Sequence, residues 1–145
     1  MKNYIFSILM SILFLAACQP KKVEPVSVGK VWKPVSVKEN GTLVYQDGAA
    51  TNARPGYSRF RLDLTSSEQV IFTDIDGRKT MGTWSLSTDN QRLILENLSP
   101  PPSETIGNIE FYINVPPTNN KLSLKRTAES RKTGNSVNEY ELIPE

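Results

Sequence analysis

Five carboxylates, Asp63, Asp74, Asp76, Glu104 and Glu110, are the residues that acid–base chemistry would draw on. Two of them flanking a scissile bond would make a glycosidase pair. Most fall at strand-surface or turn positions, where a carboxylate is simply solvated. Asp74-Ile75-Asp76-Gly77 reproduces part of the calcium-loop pattern Asp-x-Asp-x-Asp-Gly, without its third acid or the bidentate Glu that closes such a loop. The same four residues read better as a tight hairpin turn. Serine and threonine hydroxyls are plentiful, yet a nucleophile needs an adjacent base, and the chain contains no histidine. That absence removes the Ser-His and Cys-His pairs, His-ligated zinc and haem, and the usual general base at neutral pH. A single cysteine, Cys18, excludes an internal disulfide and a Cys-rich metal centre. There is no Walker loop and no Gly-x-Ser-x-Gly elbow. The residue types therefore favour binding over catalysis, with no metal and no cofactor expected.

The charge balance points the same way. Across 145 residues, 17 Lys+Arg face 15 Asp+Glu, a formal net charge of +2. Nucleic-acid binding asks for a strongly basic face, so no nucleic-acid partner is expected. The basic doublets Arg78-Lys79, Lys125-Arg126 and Arg131-Lys132 are interleaved with acids and read as solvated surface. The length suits one domain.

The N-terminus carries an address. Lys2 precedes an apolar run from Tyr4 to Ala17. The run is shorter than the ~20 residues a membrane-spanning helix needs and matches a signal-peptide core. It ends Leu15-Ala16-Ala17-Cys18, then turns polar at Gln19-Pro20-Lys21-Lys22. This resembles the lipobox of bacterial lipoproteins at every position. The resemblance implies cleavage after Ala17 and acyl chains on Cys18 as the membrane partner. Each buried CH₂ contributes about 0.8 kcal/mol, so several chains anchor firmly. Gln19 in place of Asp resembles the outer-membrane sorting pattern, and no acidic tract follows. The expected location is the bacterial envelope, lipid-anchored at the outer membrane and facing the periplasm. Residues 1–17 are thus read as signal peptide, 18–28 as lipidated cysteine and tether, and 29–145 as the folded domain.

Within that domain, period-two alternation recurs between turn signals, the pattern of half-buried strands. Tyr57 to Leu64 sets Phe60, Leu62 and Leu64 against Arg59, Arg61 and Asp63. Val70 and Phe72, Trp84 and Leu86, Leu93 and Leu95, then Ile109, Phe111, Ile113 and Val115 continue the pattern. Leu122 and Leu124, with Tyr140 and Leu142, complete it. Asn40-Gly41 is the strongest hairpin signal, joining Val31–Lys38 to Thr42–Gln46. The Pro100-Pro101-Pro102 run must be loop, and Asp47–Gly56 reads as a mobile flap. The expected fold is all-β: a single antiparallel up-and-down β-barrel of eight or nine short strands, whose closure removes exposed edges.

Two segments carry a family likeness. Val31-Trp32 leading to Asn40-Gly41, and Gly82-Thr83-Trp84-Ser85-Leu86 followed by Leu93-Ile94-Leu95, resemble the small lipocalin-like lipoproteins of Bacteroidetes. The closing Tyr140-Glu141-Leu142-Ile143-Pro144 is similar to their last strand. Gly29-Lys30-Val31-Trp32 is one residue longer than the lipocalin Gly-x-Trp signature, and Pro34 stands where an aliphatic residue is common. The resemblance implies a small hydrophobic ligand inside the barrel, with Tyr45, Tyr57, Phe60, Phe72, Trp84, Phe111 and Tyr112 as candidate pocket residues. It also implies a late basic residue, Lys125 or Arg126, stacked on Trp32. The pocket mouth would lie among the loops Asp47–Gly56 and Leu98–Gly107. An eight-stranded barrel holds either packed side chains or one small ligand, and the inward residues here are bulky. The competing reading is a filled barrel that meets an envelope protein partner through its loops.

Overall fold

Each strand is dictated by its alternation. A computed structural model describes residues 28–103 and 106–145. The signal peptide, Cys18, the tether to residue 27, and Glu104 lie outside the described residues. Nine strands follow in chain order: β1 (Val31–Glu39), β2 (Thr42–Gln46), β3 (Arg61–Asp63), β4 (Gln69–Thr73), β5 (Lys79–Leu86), β6 (Arg92–Ser99), β7 (Ile109–Ile113), β8 (Leu122–Arg126) and β9 (Asn138–Pro144). All pairings are antiparallel, and β9 returns to β1. The result is a closed eight-stranded up-and-down barrel plus one extra strand. The extra strand is β2. It shares one edge of β1 with β3: β2 takes Ser36–Glu39, while β3 takes Val31 and Trp32.

Two irregularities set which residues face inward. In β1 the register shifts between Pro34 and Ser36, at the residue that cannot donate to a ladder. The inward set passes from Trp32 and Pro34 to Val37 and Glu39. Between β5 and β6 the register shifts between Met81 and Thr83, where Asn97 adopts φ 56°. A Cβ on Gly82 would stand 2.3 Å from the Glu96 carbonyl oxygen. Glycine is therefore required there, because the bulged backbone of β6 occupies the side-chain space.

Some expectations need correcting. Tyr57 to Leu64 is not one strand: Pro55–Arg59 form a 3-10 turn, and β3 has three residues. Pro55 fits the first position of such a turn, and Gly56 packs so closely that its Cβ would meet the Ile75 carbonyl oxygen at 2.7 Å. The preceding loop is fastened to β2. The Arg54 amide donates to the Val44 carbonyl at 3.0 Å, and Asn52 exchanges hydrogen bonds with both backbone groups of Gln46 at 2.7 and 3.1 Å. Leu98 belongs to β6 and is buried, whereas Val115 lies beyond β7 and is exposed.

The barrel has two distinct ends. One holds Val28, Glu145 and the turns 64–68, 87–91 and 114–121. Here Trp32 is fully buried and donates its indole N–H to the Val28 carbonyl at 2.8 Å. The cation near its ring is Lys30, 6.0 Å from the centroid. It is not Lys125 or Arg126, which β8 carries to the other end. That opposite end gathers the turns 40–41 and 74–78, the 3-10 turn Pro55–Arg59, and the loops 100–108 and 127–137.

Candidate functional site

The barrel interior is occupied by its own aromatic rings. Phe60 stacks on Tyr140 at 4.9 Å and meets Phe72 edge-on at 5.4 Å. Phe111 and Tyr57 each present a T-shaped contact to Tyr140, at 5.9 and 6.1 Å. Tyr45 continues the series onto Tyr57 at 6.1 Å. All six belong to one buried core with Trp32, Leu62, Leu95, Leu124 and Leu142. Aromatic pairs at such separations add about 0.5–1.5 kcal/mol each beyond area burial.

Five of the seven candidate pocket residues, Tyr45, Tyr57, Phe60, Phe72 and Phe111, are thus together, in contact with one another or with Tyr140. The other two are elsewhere. Trp84 sits half-buried toward the terminus end, its indole N–H donating to the Ser66 carbonyl at 2.7 Å. Tyr112 is 50% exposed. It follows the inward Phe111, so strand alternation turns it outward, and it cannot join a site inside the barrel.

Above the aromatic layer lies a buried polar network. Asn138 is the centre: its Nδ2 is 3.1 Å from Tyr57 Oη and 3.2 Å from both Tyr140 Oη and Thr133 Oγ1. Its Oδ1 accepts from Ser136 Oγ at 2.6 Å. Tyr57 Oη in turn donates to Glu39 Oε1 at 2.9 Å, and Arg54 Nε stands 3.4 Å from the other oxygen of Glu39. Burial pushes the Tyr57 hydroxyl well above its ordinary range, and Tyr140 and Glu39 beside it act in the same direction. Tyr140 is pushed up to about 12, again chiefly by burial, with the Arg126 cation and Asn138 opposing. Both phenols are therefore hydrogen-bonding groups, held neutral. They are not acids or bases for chemistry near neutrality.

The carboxylates considered for acid–base or metal chemistry have other partners. Asp74 to Gly77 form the expected turn, the Gly77 amide donating to the Asp74 carbonyl at 2.8 Å. Lys132 reaches back from loop 127–137 to bridge Asp74 and Asp76 at 3.1 and 2.9 Å. Burial works against the charged form of Asp76, yet Lys132 and the Arg78 amide hold its carboxyl below the usual range. Asp63 accepts from the Thr65 amide and hydroxyl, and Glu110 pairs with Arg92 at 2.8 Å. Among the described residues, no three His, Cys, Asp or Glu side chains are grouped to hold a metal ion.

Sequence reasoning missed Glu39 and Asn138. Asn138 stands in phase with Tyr140 and Leu142, so a polar inward residue was visible in the alternation. Glu39 was not, because the shift in β1 reverses its parity. Outside the barrel, a groove with a volume of about 580 Å³ runs over the outer face of β3 and β4.

No protein-family model and no curated protein matches the chain. Among solved structures, it is similar to an uncharacterized protein from Bacteroides eggerthii. The alignment covers 84% of this chain and 100% of the other, at 11% identity and a TM-score of 0.48.

Proposed function

We propose that this chain is a non-catalytic, Cys18-anchored lipoprotein of the bacterial envelope, at the outer membrane and facing the periplasm. In this reading its filled barrel is a rigid mount that presents loops to a protein partner. The observation that carries it is the Phe60–Tyr140 stack with Phe72, Phe111 and Tyr57 around it. A small hydrophobic ligand would have to displace these rings from an interior that an eight-stranded barrel only just encloses. The loops at the polar end are braced by Asn138, Lys132 and Glu39, which suits a surface that must hold its shape.

The test has two arms. Full-length protein extracted from its native membrane should carry acyl chains on Cys18 and no stoichiometric apolar molecule by mass spectrometry. Photocrosslinkers at Gly134 and Ala53, in the loops at or beside the polar end, should each trap the same envelope protein. Recovery of one small hydrophobic molecule per chain would overturn the filled-barrel reading in favour of a carrier.

A further inference from the structure

We propose that the groove over β3 and β4 binds a phosphate-type oxyanion. The register places Arg61, Thr73 and Lys79 side by side on the outer face of three neighbouring strands. With strands about 4.8 Å apart, the two cations are rooted about 10 Å from each other with a hydroxyl between them. Arg61 is already engaged by Glu145 and by the Ser58 and Phe60 carbonyls, so the charged contacts to an anion come from Lys79 and from Arg59. Arg59 enters from the 3-10 turn, its stem lying 3.4 Å from where a Gly77 Cβ would be, so that glycine leaves it room. These four residues line the 580 Å³ groove together with Ser58.

The groove has a structural cause. β2 leaves the edge of β1 before β3 joins it, and β3 contributes only three residues, so the outer wall is shallow there. Thr73 points outward yet is only 8% exposed, and its hydroxyl has no hydrogen-bond partner among the described residues. Lys79 and Arg59 have no carboxylate partner among them either; Arg59 uses its Nε on the Ile75 carbonyl at 3.2 Å. The two acids lining the groove are engaged: Glu145 pairs with Arg61 at 2.9 Å, and Asp63 accepts from Thr65 at 2.6 Å. Asp63 keeps its charge, so Arg59, Arg61 and Lys79 outnumber the two carboxylates by one, and Arg59, Lys79 and the Thr73 hydroxyl remain as the donor set for a phosphate. The anion is either a soluble phosphate or the headgroup of an acidic lipid.

The full chain in neutral detergent micelles is titrated with sodium pyrophosphate and followed by amide chemical shifts. We expect saturable shifts at Arg59, Thr73 and Lys79, and affinity that falls as salt is raised. Lys79→Gln should weaken binding at least about tenfold, and Lys121→Gln, on the far side of the barrel, should leave it unchanged. In a second arm, phosphatidylglycerol is added to the micelles. Competition with pyrophosphate assigns the site to lipid headgroups, and lack of competition assigns it to a soluble phosphate. Absence of saturable shifts, or equal affinity in Lys79→Gln, overturns the proposal.

Discussion

The ring of Tyr140 lies against that of Phe60 with 4.9 Å between centroids and 25° between planes. One ring comes from the strand that closes the barrel and the other from just before its shortest strand. Their contact forms inside the barrel over β1, the strand that lies between these two in the wall. Phe60→Ala should cost about 3–5 kcal/mol in urea unfolding, since a buried ring is removed from a core that relaxes only in part. The same variant should brighten an apolar dye saturably, because an apolar void stays dry and accepts such a guest. The unaltered protein should not.

Gly82→Ala places a methyl group within 2.3 Å of the Glu96 carbonyl oxygen, a backbone atom that cannot step aside. Overpacking of this kind costs about 1–3 kcal/mol. A lower melting temperature is expected, with added exchange of the β5 and β6 amides in hydrogen–deuterium measurements.

Asn138→Leu keeps the volume and removes the amide. Tyr57, Tyr140, Thr133 and Ser136 then lose their shared partner inside the barrel. Tyr57 still holds Glu39 and Ser136 still holds Thr133, so the Tyr140 hydroxyl bears the largest loss. A buried polar group stripped of its partner costs about 1–3 kcal/mol, and a loss of that size is expected by denaturant titration.

Alkaline stability should reveal the buried phenols. Burial pushes the Tyr140 hydroxyl up to about 12 in the folded chain, from about 10 for an exposed tyrosine, and Tyr57 is shifted in the same direction. The unfolded chain therefore loses these protons first. Their contribution is fully present below pH 10 and drains away as pH climbs toward 12. The expected slope is a loss of about 1.4 kcal/mol per pH unit for each such group. Denaturant titrations across that window check it, and Tyr140→Phe should flatten the slope.

Asn52 caps the open edge of β2 by holding both backbone groups of Gln46. Asn52→Ala frees the Gln46 amide and leaves its carbonyl with the Ala49 amide alone, and unpaired strand edges invite other chains. Concentration-dependent self-association of the variant is expected in analytical ultracentrifugation.

The all-β barrel was readable because Phe111, Leu124 and Leu142 each sit in unbroken alternation, and Asn40-Gly41 marks its hairpin. Where the alternation breaks, the sequence misleads. Pro34 shifts the parity of β1 and so hides Glu39. Pro55 and Gly56 build a 3-10 turn from residues that alternate like a strand. The candidate aromatics were recognisable as inward residues. Whether they line a space or fill it depends on ring-to-ring distances between strands far apart in sequence, which alternation does not encode. The phosphate groove likewise depends on cross-strand register, which sets Arg61 beside Thr73 and Lys79.

The pairing of β9 with β1 has a consequence for the order of assembly. Seven residues of β1 find their partners between Asn138 and Pro144. A growing chain therefore cannot seal its wall until the segment Asn138–Pro144 has been made. Every earlier intermediate carries two unsatisfied strand edges and an incomplete aromatic centre, since Tyr140 arrives with the same segment. Closure of the fold thus waits for β9, and a chain truncated before Asn138 would be an open sheet prone to stick to its neighbours.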